Sequence, residues 1–499
     1  MTRAPAASSL LVAALSAAFA AALALGGAPR FVPPWTALFA LSAFCAARLW
    51  ISERRLGRDA LASRPDAALF WLCLTLYLGT FRWHGGDDIP NSMLPYAILR
   101  HGTLSFDPYR EWATYPGMQD LIHPVRGRLV SVYPIGAGVA AVPLYLIPVA
   151  FNAPPSDQFL HNLSKIAGAL LTAGSVVCAR RILASRCSAR WATACAMLYG
   201  AGTFTYSVLS QALYSQSLAQ FGVALGLLGL VEEGTAWSVV AGLGFGLAWA
   251  GREDTAFFVA AAGLYLLVHR RERLVAFASG ALPPFLLTLA YWWHYSGVLR
   301  PPYFKLQADL FVAFDFPAFA AMIFSPSRGL LLFFPSLVFC VWGGVRACRD
   351  PKMRWAPYFA AASAAVPVLI ACRSSWTGGN TFGTRYFALA CLPLALFAGE
   401  LETDIRRSPL LRSAWIWAFA FSVLVHATGA NFRWPGSLMS LDEQVRTAWS
   451  PSLFPLLQIF ADGGPIDAVP FPWRGLYGAS LLSLAILPAA WMRRWLSKD

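Results

Sequence analysis

The sequence predicts an all-α polytopic membrane protein with about 14 transmembrane helices and interfacial helices in its first outer loop. Of the 499 residues, 57% are hydrophobic and only 13% are charged, and the mean hydropathy is +0.53. Soluble domains usually carry about 25% charged residues. Apolar runs long enough to cross about 30 Å of hydrocarbon as helices recur along the chain. The predicted spans are 8–26, 34–50, 66–82, 160–181, 191–209, 213–231, 236–250, 254–268, 274–293, 329–346, 356–372, 386–400, 413–428 and 474–492.

The basic residues set the predicted orientation of these spans. The net charge is +14, but the arginines cluster in short connectors between apolar runs, as Arg270, Arg271 and Arg273 do. This is the positive-inside pattern of membrane topology rather than a polyanion-binding surface, so we expect no nucleic-acid partner. Both termini are then cytoplasmic. The Ala- and Arg-rich composition is typical of GC-rich bacteria, which predicts a bacterial inner-membrane location; cleavage of the first span as a signal peptide stays open.

One apolar segment, 135–151, is predicted to lie at the outer interface instead of crossing the membrane. It is short and contains Pro143 and Pro148. Counting it as a span would also move Arg180 and Arg181 to the outer side, against the positive-inside pattern. The outer face then receives the long loop 81–159 and the loops at about 294–328, 373–385 and 429–473. Chemistry in water or at the interface is therefore expected on the outer side.

The cysteines and glycines do not predict a ligand site. The nine cysteines show no Cys-x-x-Cys or Cys/His spacing, and most lie within apolar runs, which is typical of buried free thiols. Gly242, Gly244 and Gly246 lie within one span, and we predict that they allow close helix packing rather than nucleotide binding. No convincing internal repeat is present, which weighs against transporters built from inverted halves.

Two adjacent carboxylates, Asp87 and Asp88, follow directly on the span 66–82. Side by side near a low-dielectric boundary they repel each other, so a nearby cation or a raised proton affinity is expected. The alternative is structural, because an Asp before Ile89-Pro90 could cap a helix. A cap needs only one carboxylate, and we therefore predict that this pair is catalytic.

The chain resembles the GT-C-type integral membrane glycosyltransferases, a superfamily that includes the protein mannosyltransferases and the aminoarabinose transferase of lipid A. The resemblance covers residues from about 65 to 400. The matching segments are Gly86-Asp87-Asp88-Ile89-Pro90, Leu94-Pro95-Tyr96, Leu99-Arg100-His101-Gly102, Phe106-Asp107, Gly127-Arg128, Ser131-Val132-Tyr133-Pro134-Ile135-Gly136, the polar turn around Ser210-Gln211, Ser325-Pro326-Ser327-Arg328-Gly329-Leu330 and Trp376-Thr377-Gly378-Gly379 with Phe382-Gly383-Thr384-Arg385-Tyr386.

The resemblance implies three parts and an activity. Two N-terminal transmembrane helices (1–65) precede a catalytic core (66–400), and transmembrane helices with the outer loop 429–473 complete the chain (401–499). The implied reaction is inverting transfer of a monosaccharide, a hexose or a pentose, from a polyprenyl-phosphate carrier to a glycan, lipid or protein acceptor at the outer face. Asp87 best matches the family's catalytic Asp, whereas relatives often have another polar residue at the position of Asp88. A carboxylate can act here as general base for the acceptor hydroxyl, and inversion does not require a second one.

A departing phosphate needs fixed positive charge or strong donors. The candidates for binding the donor's phosphate or lipid are Arg128, Tyr133, Arg252, Arg328 and Arg385. Their alternatives are snorkelling toward lipid headgroups, an aromatic belt for Tyr133, and for Arg252 neutralisation by Glu253 and Asp254.

Three further residues, His84, His101 and Trp376, are candidates for contacts with the sugar or acceptor. His84, His101 and His123 could also hold a divalent metal together with Asp87, Asp88 or Glu111. This alternative stays open, because the spacing of these residues fits no standard ligand motif. No other cofactor is expected, since the polyprenyl-phosphate sugar is itself the donor substrate.

Two other classes of function remain alternatives. A lipid or glycolipid transporter or flippase would place charged residues near mid-bilayer, whereas here they gather at the ends of spans, with Lys165 as the nearest exception. A non-catalytic membrane scaffold would tolerate substitution of Asp87.

Overall fold

A computed structural model of the protein describes residues 65–80, 86–114, 118, 121–300, 311–379, 381–431, 439–458 and 474–496. The predicted spans 8–26 and 34–50 lie outside these residues, as does His84. The described chain is mostly helical and divides into two compact units. The first unit comprises the described residues before 83, residues 179–208 and those from 314 onward; the second comprises the described residues of 83–178 and 209–313.

The helices follow the predicted spans closely over most of the described chain. In chain order they are α1 (Pro65–Leu78), α2 (Ile89–His101), α3 (Gly136–Ala150), α4 (Asp157–Ala184), α5 (Ala189–Ala201), α6 (Ser215–Val231), α7 (Thr235–Gly251), α8 (Ala256–His269), α9 (Leu274–Ser296), α10 (Phe316–Phe324), α11 (Leu330–Phe333), α12 (Leu337–Ala347), α13 (Ala356–Ala371), α14 (Ala388–Phe397), α15 (Glu402–Arg407), α16 (Pro409–Asn431), α17 (Leu441–Arg446), α18 (Pro455–Gln458) and α19 (Arg474–Leu496).

Four stretches of the described chain are long and apolar enough to cross a membrane by themselves: Phe159–Ala184, Arg271–Ser296, Arg385–Arg407 and Pro409–Asn431. Six shorter apolar helices accompany them, namely α1, α3, α6, α7, α12 and α13. These helices agree with a polytopic membrane protein. The total of about 14 spans stays a prediction.

Two predicted spans are interrupted. The span 329–346 is divided into α11 and α12, because Pro335 follows Phe334 and has no N–H with which to continue the first helix. The span 191–209 ends as an α-helix at Ala201, and a single π-helical turn, Thr205–Leu209, follows. Hydropathy alone predicted both as continuous because each interruption is itself apolar or weakly polar.

A short β-hairpin in the loop 81–159, which is predicted to lie on the outer face, corrects the all-α prediction. Strands β1 (Ile122–Val125) and β2 (Arg128–Ser131) pair antiparallel, with Ile122 opposite Ser131 and Val125 opposite Arg128. Arg126 and Gly127 form the two-residue turn, with φ of 52° and 78°. Positive φ at both central residues is the geometry that two-residue hairpins favour.

In the second unit, glycines bring α6, α7 and α9 into backbone contact. A Cβ added at Gly242 would lie 1.8 Å from the carbonyl oxygen of Phe277, and one at Gly244 would lie 2.3 Å from the nitrogen of Gly226. Neither distance can accommodate a side chain, so glycine is required for this packing. The prediction that Gly242, Gly244 and Gly246 serve helix packing is therefore confirmed.

The segment 135–151 was predicted to form a helix, and α3 confirms this. Its buried side packs on α2, where the rings of Tyr96 and Tyr145 meet edge to face at 5.6 Å. The opposite side exposes apolar residues such as Ile147, which is 70% exposed. A helix with one face against protein and one apolar face outward suits a lipid contact. Its placement at the outer interface stays a prediction.

Candidate active site

The acid pair lies on a tight turn that begins α2. We call residues 86–88 the acidic turn. Gly86 has φ of 129°, a conformation that residues with a Cβ rarely adopt, and its carbonyl accepts the N–H of Ile89 at 2.9 Å. Pro90 occupies the first turn of α2, where its missing N–H is not needed. The local sequence Gly-Asp-Asp-Ile-Pro thus fixes where both carboxylates leave the backbone.

Asp88 is completely buried and does not cap the helix. It occupies the N-cap position, but its side chain makes no capping hydrogen bond; instead Ser164 Oγ of α4 donates to Asp88 Oδ2 at 2.9 Å. Asp88 Oδ1 is buried without a hydrogen-bond partner among the described residues. Burial raises the pKa of Asp88 from 3.8 to about 6, although the charge of His161 and the bond from Ser164 oppose the rise.

Asp87, the neighbouring residue, is only partly buried. The hydroxyl of Tyr133 donates to Asp87 Oδ1 at 3.1 Å. Tyr133 is itself oriented at the end of the hairpin, because its backbone N–H donates to Ser131 Oγ at 3.0 Å. The structure therefore brings together three predicted site residues, Asp87, Asp88 and Tyr133, and gives the two carboxylates different surroundings.

Other predicted residues of the outer loop lie elsewhere on the surface of this unit. The side chain of Arg128 is 66% exposed and pairs with Asp107 at 3.1 Å. Asp107 also accepts the N–H of Leu129 and the hydroxyl of Ser105, so it holds the hairpin against the loop. His101 is exposed and contacts the ring of Tyr109 edge to face at 5.8 Å. Arg128 thus has a structural partner, and its phosphate role stays a prediction.

Arg252 pairs with a neighbouring carboxylate, which is the structural alternative that the sequence left open for it. Its guanidinium donates through Nε and Nη2 to both carboxylate oxygens of Asp254, at distances of 2.8–3.0 Å. Both side chains are largely buried, at 13% and 19% exposure. A bidentate pair of this kind neutralises the arginine locally.

The first unit contains a buried positive charge, Arg328. It lies in residues 325–329, which we call the arginine turn. Arg328 is 2% exposed, and its guanidinium donates to the carbonyl oxygens of Thr377 and Gly383 and, at 2.7 Å, to Gln444 Oε1. Burial lowers the pKa of Arg328 to about 10, and the nearby charge of Arg385 adds to this effect. The group still carries its charge at neutral pH.

Arg385 lies beside this buried guanidinium and is itself 8% exposed. Its guanidinium carbon is 5.8 Å from the ring centre of Tyr386, and that of Arg373 is 4.8 Å from the same ring. Trp376, a predicted contact for the sugar or acceptor, lies between Arg373 and Arg385 in the sequence and is 5% exposed. Sequence reasoning did not select Arg373, although its position in the predicted outer loop 373–385 was a usable signal.

Within the ranges that the structure describes, no group of three or more His, Cys, Asp or Glu residues could hold a metal ion. The acidic turn and Tyr133 together offer two carboxylates and a phenol. The residues around the arginine turn, Arg373, Arg385 and Tyr386, offer guanidinium groups and an aromatic ring. The first set can take a proton, and the second can bind an anion.

No family model and no curated protein sequence matches the chain. The solved structures that are similar to it include two of ArnT from Cupriavidus metallidurans. The apo state gives a TM-score of 0.51 at 16% identity, and the similarity covers 88% of this chain and 76% of that one. The structure bound to undecaprenyl phosphate gives a TM-score of 0.48 at 15% identity over the same shares. The chain therefore has the fold of the GT-C-type integral membrane glycosyltransferases, as its sequence motifs predict.

Proposed function

We propose that the protein is an inverting glycosyltransferase, which moves a monosaccharide from a polyprenyl-phosphate carrier to an acceptor at the outer face of the membrane. One observation carries this proposal most directly. Asp87 is partly accessible, is oriented by the hydroxyl of Tyr133, and stands next to a carboxylate that is completely buried. A fold shared with GT-C enzymes supports the same class of reaction.

Asp87 is the proposed general base. An acceptor hydroxyl is a weak nucleophile near neutral pH, and a carboxylate within hydrogen-bond reach can take its proton as it attacks the anomeric carbon. The bond from Tyr133 limits rotation of the carboxylate and so fixes the direction from which an acceptor hydroxyl must approach it. Bond formation from the side opposite the phosphate then inverts the anomeric centre without a covalent intermediate.

Arg385 is the proposed phosphate ligand. Two neighbouring guanidinium groups, Arg328 and Arg385, repel each other in a buried setting, and an anion relieves that repulsion. The guanidinium of Arg328 is directed at backbone carbonyls, so we assign it the task of holding the turn. Arg373, which like Arg385 contacts the ring of Tyr386, adds positive charge that would attract the carrier's phosphate.

The exposed apolar face of α3 supports a lipid-linked donor. Ile147 and Phe151 are 70% and 82% exposed, and both are apolar. We propose that this face contacts the polyprenyl chain, so that the reaction takes place where the carrier's phosphate meets the outer interface.

The test is transfer by the full-length protein in proteoliposomes supplied with a panel of polyprenyl-phosphate hexoses and pentoses labelled in the sugar, together with glycan, lipid and peptide acceptors. Asp87→Asn keeps the shape of the side chain but cannot take a proton, and we expect a loss of about 10²–10⁴-fold in kcat. Asp442→Asn, the same acid-to-amide change at an exposed residue of α17, is the matched control and should stay near the wild type.

Transfer by Asp87→Asn at the wild-type rate would overturn the assignment of the base. Wild-type protein that moves intact labelled carrier across the bilayer, with no transfer of sugar from any donor of the panel, would instead favour a flippase. The two outcomes separate because the label lies in the sugar, which stays attached to the carrier only in the second case.

A further inference from the structure

We propose that Asp88 is a positioning residue: its bond to Ser164 fixes the acidic turn and thereby the direction of Asp87. This inference rests on the proposed function, because it assigns a task to the neighbour of the proposed base. It differs from the sequence-based hypothesis that both carboxylates are catalytic. Three features of the second unit support this role: a hydrogen-bond chain, a backbone carbonyl held by two hydrogen bonds, and the complete burial of Asp88.

The hydrogen-bond chain connects four segments. Ser164 Oγ donates to Asp88 Oδ2 at 2.9 Å and accepts the N–H of Leu213 at 2.8 Å. Asn91 Nδ2 of α2 donates to the carbonyl oxygen of Leu213 at 3.2 Å and to Ser215 Oγ at 3.3 Å. The acidic turn, α2, α4 and the polar loop before α6 are therefore joined at buried positions, where hydrogen bonds are strong and costly to lose.

These hydrogen bonds also explain the polar turn around residues 210–215, to which the proposed reaction assigns no role. Lys165 Nζ, the next residue on α4, donates to Gln211 Oε1 at 2.7 Å. Two successive residues of α4 thus hold the same loop, one through Leu213 and one through Gln211. The loop is fixed against α4, and Ser164 transmits that rigidity to Asp88.

The backbone of Asp88 is held as firmly as its side chain. Its carbonyl oxygen accepts both the N–H of Ser92 at 2.9 Å and the hydroxyl of Ser92 at 2.7 Å. The side chain of Asp88 is held by Ser164, its carbonyl is held by α2, and the bond from Ile89 N–H to Gly86 O closes the turn, so the residue to which Asp87 is attached has little freedom. Asp87 is then directed toward Tyr133 by its neighbour, not only by its own hydrogen bond.

Asp88 itself cannot meet an acceptor in this structure. It is 0% exposed, and one of its oxygens is taken by Ser164. A positioning role needs only an oxygen that accepts the Ser164 hydroxyl, which an amide provides as well as a carboxylate. A catalytic role needs an ionisable group, which an amide lacks. The two roles therefore make opposite predictions for Asp88→Asn.

The experiment measures kcat and KM for sugar transfer with Asp88→Asn, Asp88→Ala and Ser164→Ala in the full-length protein. We expect Asp88→Asn to keep activity within about threefold of wild type, and the two alanine variants to lose at least about tenfold in kcat, since a small misplacement of a reacting group is costly. Ser175→Ala is the matched control: it removes a buried hydroxyl from the same helix, one that donates to Thr172 O, and should stay near the wild type.

The double variant Asp88→Ala/Ser164→Ala tests the contact itself. If the two residues act through one bond, its loss of activity should match the worse single variant instead of the product of both. Multiplying losses, or an Asp88→Asn variant as inactive as Asp87→Asn, would overturn the positioning role. Failure of the proposed function looks different, because the wild-type protein itself would then transfer no sugar from any donor.

Discussion

The acidic turn of one unit and the arginine turn of the other both bury a full charge, but they satisfy it to different degrees. Arg328 donates to three backbone carbonyls, those of Thr377, Gly379 and Gly383, and to Gln444. Asp88 accepts one side-chain hydrogen bond, and its second oxygen is unsatisfied within the described chain. Burial of a charge is tolerable when hydrogen bonds replace its water and costly when they do not. The arginine turn is therefore built for stability, whereas the acidic turn gives up stability at the proposed catalytic centre.

Among the substitutions that test this difference, we expect the largest effect from Arg328→Gln. Arg328→Gln shortens the side chain and removes the guanidinium that donates to the carbonyls of Thr377 and Gly383 and to Gln444 Oε1. We expect the free energy of unfolding to fall by about 3–5 kcal/mol, because each buried acceptor left unsatisfied costs about 1–3 kcal/mol. Thermal unfolding in detergent, followed by tryptophan fluorescence, measures the change.

Arg354→Gln, at an exposed residue of the same unit, is the control and should change stability by less than about 0.5 kcal/mol. Arg328→Lys should not restore the wild type, since an ammonium lacks the planar fork that reaches several acceptors. Equal stability of the wild type and Arg328→Gln would contradict the structural role and return Arg328 to the candidates for binding phosphate.

The same contrast shows what a sequence can predict. Hydropathy located the helices well, as the predicted span 254–268 and the observed Ala256–His269 show, because apolar length is a local property. The partners of Arg328 could not be predicted, since Gln444 lies 116 residues away along the chain. The hairpin was predictable in principle, because Arg126-Gly127 separates two short segments that contain β-branched residues.

A smaller effect is expected from the pH dependence of Asp88→Asn. The folded protein holds the proton of Asp88 more tightly than the unfolded chain does, since the pKa rises from 3.8 to about 6 on burial. The wild type therefore loses stability as the pH rises from about 4 to about 6, and the loss persists above that range. Asn does not titrate. The stability of the variant relative to the wild type should thus increase by about 1–3 kcal/mol between pH 4 and pH 7.5.

The groups around Asp88 set the size of this effect: Asp87 on the same turn, His161 and Ser164 on α4, and the Tyr145 hydroxyl on α3. Asp107→Asn is the control of opposite sign. Partial burial disfavours ionisation of Asp107, but the hydrogen bonds from Leu129, Ser105 and Arg128 outweigh it and lower its pKa. The Asn variant should therefore become less stable relative to the wild type as the pH rises. A pH-independent difference for Asp88→Asn would show that its carboxylate is not buried.

The two carboxylates of the acidic turn could be found from sequence, but not the difference between them. Asp87 and Asp88 are chemically identical in the sequence, and only the fold places Ser164 against one and Tyr133 against the other. Arg252 is the opposite case, because its partner Asp254 lies two residues away and the sequence already offered this pairing as an alternative. Side-chain partners separated by many residues depend on packing, which local patterns do not encode.

The smallest effect, and the one that resolves the acidic turn most finely, is expected for Tyr133→Phe. The variant keeps the ring and removes only the hydroxyl that donates to Asp87. A hydrogen bond to a carboxylate is worth about 1.5 kcal/mol when partly exposed, so kcat should fall by about tenfold or less while KM for the donor changes little. Tyr109→Phe, in the same loop, is the matched control because its buried hydroxyl has no hydrogen-bond partner among the described residues. Loss of donor affinity with unchanged kcat would instead make Tyr133 a ligand of the carrier, and the direction of Asp87 would then depend on Asp88 and Ser164 alone.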